Sequence, residues 1–196
     1  MPADPDARPA DAAPAPGMKP RQAPRAIGFF GDSGSGKTTL IERLVERFAR
    51  RGLRVAAIKH AHHGFDLDRP GKDSYRFRAA GASQVLIASQ QRWALLVEQG
   101  DAGDAGDLRR QIARLQPCDL VLVEGFRGQA AIPFIRVWRG PQGTAPAPEP
   151  GVAGVVAIAS DRALPAEATG GIPCLDLDDA EAVARFVAGV LGLESC

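Results

Sequence analysis

Residues 26–38 read Ala-Ile-Gly-Phe-Phe-Gly-Asp-Ser-Gly-Ser-Gly-Lys-Thr, and they indicate the fold class of the chain. The apolar run at its start suits a buried strand. The residues from Gly31 to Thr38 match Gly-x-x-x-x-Gly-Lys-Thr, the pattern of a phosphate-binding P-loop. Glycines let the backbone curl around an anion so that its amide N–H groups point inward. The pattern predicts binding of a nucleoside triphosphate; the alternative, a flexible Gly/Ser linker, does not account for the flanking strand and helix patterns.

The side chains of this motif have separate chemical roles. Lys37 can reach the β- and γ-phosphates as a point charge, and the Thr38 hydroxyl can ligate Mg²⁺ at the start of the following helix. The residues predicted to bind the phosphates are Gly34, Ser35, Gly36, Lys37, Thr38 and Thr39.

Helical and strand-like patterns alternate along the rest of the chain. A helix is predicted from Lys37 to a stop at Gly52, and short helices are predicted to begin near Asp73 or Ser74 and at Asp104 or Asp107. Further strands are predicted over residues 53–58, 119–124, 134–138 and 155–159, and an amphipathic helix over residues 180–191. Residues 84–89 and 92–98 are predicted to form an antiparallel edge hairpin. The fold class is therefore α/β, a three-layer sandwich with a mostly parallel sheet.

Composition sets the domain count and excludes some classes of partner. With 196 residues, 45% of them hydrophobic, we expect one domain over residues 25–196 after a disordered Pro/Ala-rich tail over residues 1–24. Lys plus Arg number 24 against 23 Asp plus Glu, so no global charge favours nucleic acid or an anionic membrane. No apolar run is long enough to cross a bilayer. The three widely spaced cysteines, Cys118, Cys174 and Cys196, favour a reduced, cytoplasmic location.

Two carboxylates follow predicted strands at the edge where ligands of parallel sheets bind. Glu124 ends an apolar strand and is the candidate that holds Mg²⁺ through water, with a helix cap or a surface ion pair as the alternative. Asp161 follows the strand over residues 155–159, and a carboxylate there can accept hydrogen bonds from N1 and the 2-amino group of guanine. The Asn/Thr-Lys-x-Asp pattern of guanine readers is incomplete here, so a turn role for Asp161 stays open. Asp119 begins the strand that Glu124 ends, which places it away from the phosphates.

All three histidines lie within residues 59–68, directly after the second strand. We interpret this segment as a nucleotide-sensing or partner-binding loop, with a transition-metal site as the alternative. Asp66 is the catalytic candidate, which would position attacking water or Mg²⁺. The residues predicted to bind an anionic ligand or a partner are Lys59, His60, His62, His63, Lys72, Arg76 and Arg127, with solvated surface side chains as the alternative.

The whole pattern resembles the MobB family of molybdopterin-guanine dinucleotide biosynthesis adapter proteins. The resemblance rests on the P-loop, on residues 58–68 with His-His-Gly-Phe-Asp, on Pro-Gly-Lys-Asp-Ser at residues 70–74, on Ala-Gly-Ala at residues 80–82 and on Val-Glu-Gly-Phe at residues 123–126. It implies a homodimeric protein that binds GTP and Mg²⁺, hydrolyses GTP slowly and assists MobA, the guanylyltransferase that attaches GMP to molybdopterin. The Val-Glu-Gly segment is also similar to dethiobiotin synthetases, in which the matching glutamate serves Mg²⁺. That similarity supports the metal role of Glu124.

Two other functions fit the same P-loop. A small-molecule kinase would need an acceptor pocket and a base near the γ-phosphate, and Asp66 could serve as that base. A metallochaperone GTPase would use the histidines to bind nickel or zinc.

Overall fold

The computed structural model describes residues 24–61, 68–98, 107–127, 132–141, 144, 146 and 153–193. The predicted tail over residues 1–24 lies outside this range, apart from Pro24.

Eight strands are present in the described part of the chain: β1 (Arg25–Phe30), β2 (Val55–Lys59), β3 (Gln84–Ala88), β4 (Trp93–Val97), β5 (Leu120–Glu124), β6 (Phe134–Trp138), β7 (Val155–Ser160) and β8 (Cys174–Asp176). Six of them form one sheet in the order β2-β5-β1-β6-β7-β8, and every pair in it is parallel. The P-loop follows the third strand in that order. It therefore lies at the carboxyl edge of the sheet, where open parallel sheets bind ligands.

Helices cover both faces of this sheet. They are α1 (Lys37–Arg50), α2 (Asp73–Ala79), α3 (Leu108–Ala113), α4 (Ala166–Thr169) and α5 (Ala180–Leu191). Alternate residues of β1 and β5 divide between two cores, because successive side chains of a strand point to opposite faces. Ile27 and Leu122 pack in the core with α1 and α5, whereas Ala26 and Val123 pack with Leu108 of α3. The predicted three-layer α/β sandwich is confirmed.

The predicted antiparallel hairpin is present, but it forms a separate two-stranded sheet rather than an edge of the main sheet. β3 and β4 pair from Gln84 opposite Val97 to Ala88 opposite Trp93. Most of its side chains are exposed, and Leu86 is 63% exposed.

Most predicted elements agree with the structure to within two residues. α2 begins at Asp73, as predicted, with Lys72 as its N-cap, and the Ser74 hydroxyl donates to Asp68 Oδ1 at 2.9 Å. α4 and β8 were not predicted, since elements of four and three residues are too short to show a periodic pattern.

Candidate functional site

The P-loop connects β1 to α1 and presents the amino end of that helix. Gly36 is the N-cap of α1 with φ of 98°, a left-handed conformation that glycine adopts without a Cβ penalty, and no side chain caps the helix. The first backbone N–H groups of a helix have no partner within it. Those of Lys37, Thr38 and Thr39 are therefore donors that a phosphate can take up, and the helix dipole favours its charge.

Lys37 extends back over the loop. Its Nζ donates to the carbonyl oxygen of Gly31 at 2.9 Å and to that of Asp32 at 2.7 Å. These contacts hold the ammonium above the residues predicted to bind the phosphates. The predicted charge contact with the β- and γ-phosphates fits this placement.

The loop itself is tightly packed at its beginning and open in its middle. A Cβ on Gly31 would lie 2.0 Å from the carbonyl oxygen of Val137, whereas a Cβ on Gly34 would meet nothing within 4 Å. Next to Gly31, the hydroxyl of Ser35 is buried and has no hydrogen-bond partner. An unpaired buried hydroxyl in a loop with open space beside Gly34 fits a loop shaped for a polar ligand.

Thr38 and Glu124 meet at the predicted metal position. The Thr38 hydroxyl donates to Glu124 Oε2 at 2.9 Å, and Glu124 is at the carboxyl end of β5, level with Phe29 of β1 and Lys59 of β2. Lys59 Nζ lies 3.4 Å from Glu124 Oε1, and the Glu124 side chain is 16% exposed. The two oxygen ligands predicted for Mg²⁺ are thus adjacent, as a shared ion requires.

The residues after β2 and β5 pack against one another. The rings of His60 and Phe126 lie 4.6 Å apart, and the His60 amide donates to the Glu124 carbonyl oxygen at 2.9 Å. Phe126 has φ of 54°, which is uncommon for a bulky residue and tends to occur at functional sites. This packing fixes the backbone on both sides of Glu124.

The other predicted anion-binding residues are placed as follows. Lys72 is exposed at the start of α2, and Arg76 pairs with Asp73 at 3.5 Å. Arg127 is exposed and lies three residues beyond Glu124 in the chain. His62, His63 and Asp66 lie outside the described residues. Lys59 and His60 contact Glu124, Lys59 through the carboxylate and His60 through the backbone carbonyl oxygen.

Asp161 lies just past the carboxyl end of β7, two strands from β1. Strand spacing places β7 about 10 Å from β1, on the side of the P-loop away from Glu124. Its carboxylate accepts from Arg162 through both oxygens, with Nε to Oδ1 at 2.9 Å and Nη2 to Oδ2 at 3.1 Å. Arg139 Nε lies 3.5 Å from Asp161 Oδ2, and the Asp161 side chain is 20% exposed.

These arginines keep Asp161 ionised. The hydrogen bonds from Arg162, followed by the charges of Arg162 and Arg139, hold the pKa of Asp161 below its usual range, although partial burial opposes the shift. The same pairing raises the pKa of the Arg162 guanidinium. The sequence interpretation missed both arginines, although Arg139 comes directly after β6 and Arg162 is adjacent to Asp161.

Asp119 lies at the amino end of β5, away from the P-loop, as predicted. Its carboxylate accepts from Arg54 Nη2 at 2.8 Å and from Arg54 Nε at 3.1 Å. These hydrogen bonds lower the pKa of Asp119 to about 2. Asp119 therefore forms a structural ion pair with Arg54 at the edge of the sheet opposite the P-loop.

Among the described residues, no group of three or more His, Cys, Asp and Glu side chains is arranged to bind a metal ion. None of the helices in that part of the chain has the length and hydropathy needed to span a membrane.

Comparison with known proteins gives the family. The family described as "MobB: Molybdopterin guanine dinucleotide synthesis protein B" matches residues 26–161, which include the P-loop, Glu124 and Asp161. The chain belongs to the MobB family. It is 42% identical over 163 residues to the molybdopterin-guanine dinucleotide biosynthesis adapter protein of Escherichia coli (strain K12), covering 82% of this chain and 90% of that protein. Its identity to the protein of the same name from Haemophilus influenzae is 40% over 161 residues, covering 82% of this chain and 86% of that protein.

Solved MobB structures share the fold. One crystal structure of molybdopterin-guanine biosynthesis protein B superimposes with a TM-score of 0.64 at 27% identity, covering 85% of this chain and 99% of that chain. Bacillus subtilis MobB gives a TM-score of 0.64 at 26% identity, covering 85% of this chain and 98% of that chain. The predicted resemblance to MobB is therefore confirmed over most of the chain.

Proposed function

We propose that this protein is a GTP-binding adapter that assists the attachment of GMP to molybdopterin. The observation that carries the proposal is the 42% identity to the molybdopterin-guanine dinucleotide biosynthesis adapter protein of Escherichia coli. The match covers 90% of the length of that protein. The Thr38–Glu124 contact at the mouth of the P-loop supports it, because these two side chains suit the metal that accompanies a triphosphate.

The phosphates of GTP would lie over the amino end of α1. Lys37, the amide groups of residues 34–39 and the helix dipole would bind them, and the space beside Gly34 is open within 4 Å. When bound, Mg²⁺ would neutralise charge on the phosphate oxygens. Thr38 would supply one oxygen ligand, and Glu124 would fix that side of the site through water.

The guanine base would lie on the other side of the P-loop, over the carboxyl ends of β6 and β7. Asp161 would accept hydrogen bonds from the base, since it is ionised and its carboxylate is still partly exposed. Adenine has no matching donor pair, so this contact would favour GTP over ATP.

His62, His63 and Asp66 follow β2 in the chain, and the last residue of that strand, Lys59, contacts Glu124. We infer that this segment senses the nucleotide or contacts the partner protein, with Lys59 and His60 at its base. Asp66 would position water for slow hydrolysis. Lys72, Arg76 and Arg127 would add positive charge to the same surface. Such a surface suits an anionic ligand such as the phosphate group of molybdopterin.

We further propose that the protein is a homodimer and that the hairpin of β3 and β4 forms its interface. Leu86, Trp93, Leu95 and Val97 lie on one face of the hairpin and are 47% to 63% exposed. A two-stranded sheet is marginally stable alone, and a contiguous exposed apolar face is typical of an interaction surface. A second copy supplies the same apolar face, as a two-fold axis requires.

The partner protein would be the guanylyltransferase MobA, in a reducing cytoplasmic compartment that suits the free thiols of Cys118 and Cys174. The test is reconstitution with purified guanylyltransferase, molybdopterin, GTP and Mg²⁺. We expect the wild-type protein to raise the yield of guanine dinucleotide measured by chromatography, and the Lys37→Ala variant to lose that stimulation. Equal yields with and without the wild-type protein would overturn the adapter assignment.

A further inference from the structure

The guanidinium of Arg162 occupies the acceptor atoms that a guanine base would use. Arg162 Nε and Nη2 donate to separate oxygens of Asp161 at 2.9 and 3.1 Å. Both contacts are near-ideal for a charge-assisted fork between guanidinium and carboxylate. Because Asp161 and Arg162 are consecutive residues, this pairing is available whenever the site holds no base.

A guanidinium and the edge of guanine present the same pattern to a carboxylate. Arg offers two parallel N–H donors from a planar group, and guanine offers N1–H and one hydrogen of its 2-amino group from another planar group. Each carboxylate oxygen has a second lone pair, but a fork that gives one donor to each oxygen must approach end-on between them, and only one planar group fits there. Binding of guanine to Asp161 therefore requires Arg162 to leave.

We propose that Arg162 is a specificity-determining residue that competes with guanine for Asp161. The inference rests on the proposed GTP function and adds to it the residue that sets the affinity for the base. Only protein molecules in which Arg162 has separated from Asp161 can bind the base. The apparent affinity for GTP is therefore lower than the intrinsic affinity by the fraction of molecules in that state.

Neighbouring side chains can stabilise both Arg162 and Asp161 when their pair separates. With Arg162 paired to Asp161, its guanidinium carbon lies 5.8 Å from the centroid of the Trp138 ring, so an aromatic surface is already beside it. Arg139 remains next to Asp161 and also lies 3.9 Å from Asp178. When Arg162 leaves, Arg139 keeps a positive charge beside the carboxylate and thus keeps it ionised for the base.

The competition makes a different prediction for each nucleotide base. GTP replaces both donors of Arg162, ITP lacks the 2-amino group and replaces one, and ATP replaces neither. Removing the Arg162 side chain should therefore lower the Kd most for GTP, less for ITP and least for ATP. A purely structural role for the ion pair would change all three affinities alike through stability.

The experiment is isothermal titration calorimetry of the full chain with Mg²⁺ and each of GTP, ITP and ATP. We expect Arg162→Met to lower the Kd for GTP by about three- to tenfold, which corresponds to a binding-competent fraction of about 10–30% in the wild type. Arg162→Lys, which keeps the charge without the fork, should give a smaller gain. In Asp161→Asn/Arg162→Met the gain should vanish, because the acceptor is lost.

The matched control is Arg54→Met. Arg54 makes the same two-pronged contact with Asp119, at the opposite edge of the sheet. It should leave all three affinities unchanged, and melting temperatures of every variant identify any that fail to fold.

The outcomes separate the two proposals. If the wild type binds GTP and Lys37→Ala does not, but Arg162→Met leaves GTP affinity unchanged or weaker, the competition is wrong and GTP binding stands. If Arg162→Met tightens GTP and ATP equally, Arg162 does not select the base. If neither the wild type nor Arg162→Met binds GTP, both proposals fail.

Discussion

The hydroxyl of Thr38 donates a hydrogen bond of 2.9 Å to the carboxylate of Glu124. These residues are 86 positions apart in the chain, yet the parallel pairing of β1 with β5 brings the start of α1 and the end of β5 together. Mg²⁺ binds oxygen ligands and keeps several of its waters. The pair therefore joins the P-loop to the end of β5, the two segments that we propose to hold the phosphates and Mg²⁺.

We expect Glu124→Gln to keep nucleotide binding but to require about tenfold more Mg²⁺ for half-maximal GTP affinity, since the amide preserves shape and removes the anion that favours the metal. The Mg²⁺ requirement is measured by titrating Mg²⁺ and following the fluorescence of a labelled GTP analogue as it binds. Asp119→Asn is the matched control, because it neutralises a carboxylate at the other end of the same strand. Coincident titration curves for wild type and Glu124→Gln would assign Glu124 a structural role.

Lys37→Ala should weaken GTP binding by about a hundredfold or more while leaving the melting temperature nearly unchanged. Its ammonium contacts only carbonyl oxygens of the loop among the described hydrogen bonds, so the loss falls mainly on the ligand. Arg50→Ala removes a cation from the same helix and should not affect binding. The P-loop assignment is wrong if a folded Lys37→Ala protein binds GTP with wild-type affinity in calorimetry.

Gly31→Ala should destabilise the fold by more than about 3 kcal/mol, because the new methyl group would overlap backbone that cannot move cheaply. Its Cβ would lie 2.0 Å from the Val137 carbonyl oxygen. Gly52→Ala, where φ is +82° and nothing lies within 4 Å, should cost only about 1 kcal/mol. Urea unfolding compares the two variants, and equal losses would show that the contact with Val137 does not limit this position.

The Asp119–Arg54 pair should contribute stability that depends on pH. The native pKa of Asp119 is lowered from 3.8 to about 2, so the contribution is present above about pH 4 and is lost as the pH falls toward 2. Because the side chains are 64% and 35% exposed, we expect Asp119→Asn to lower the melting temperature at pH 7 by only about 1–3 °C. The difference should close by pH 2 in calorimetric scans. A difference that is constant from pH 7 to pH 2 would contradict the pairing.

The placement of the P-loop could be predicted from sequence because one contiguous motif contains it. Gly36, Lys37 and Thr38 lie at the start of α1 as the local spacing predicts, and Glu124 lies at the carboxyl end of a parallel strand, where ligands bind in such sheets. The strand order itself then places Thr38 beside Glu124.

The contacts around Asp161, the candidate guanine-binding residue, could not be predicted from the sequence. Asp161 was proposed from its place after β7, but its engagement by Arg162 and Arg139 depends on side-chain directions that no periodicity encodes. Likewise the contact between Lys59 and Glu124 was not predicted, and it arises because pairing of β2 with β5 sets Lys59 opposite that residue. Tertiary register, rather than local pattern, determines both contacts.

The apolar face of the hairpin is the surface that we propose to join two copies of the chain. Leu86 and Leu95 lie directly opposite each other and are 63% and 47% exposed. If a second copy covers them, the double substitution Leu86→Lys/Leu95→Lys should convert a dimer into a monomer, because like charges would oppose one another across the two-fold axis. Light scattering coupled to gel filtration measures the mass.

Val190→Lys is the matched control, since Val190 is an exposed apolar residue of α5 outside the hairpin, and it should leave the dimer intact. Monomeric variants should also melt at a temperature that no longer rises with protein concentration, as is required when association is coupled to folding. A wild-type protein that stays monomeric across the micromolar range, or a double variant that remains dimeric, would show that the hairpin face is not the interface between copies. The exposed leucines would then serve contact with a different protein.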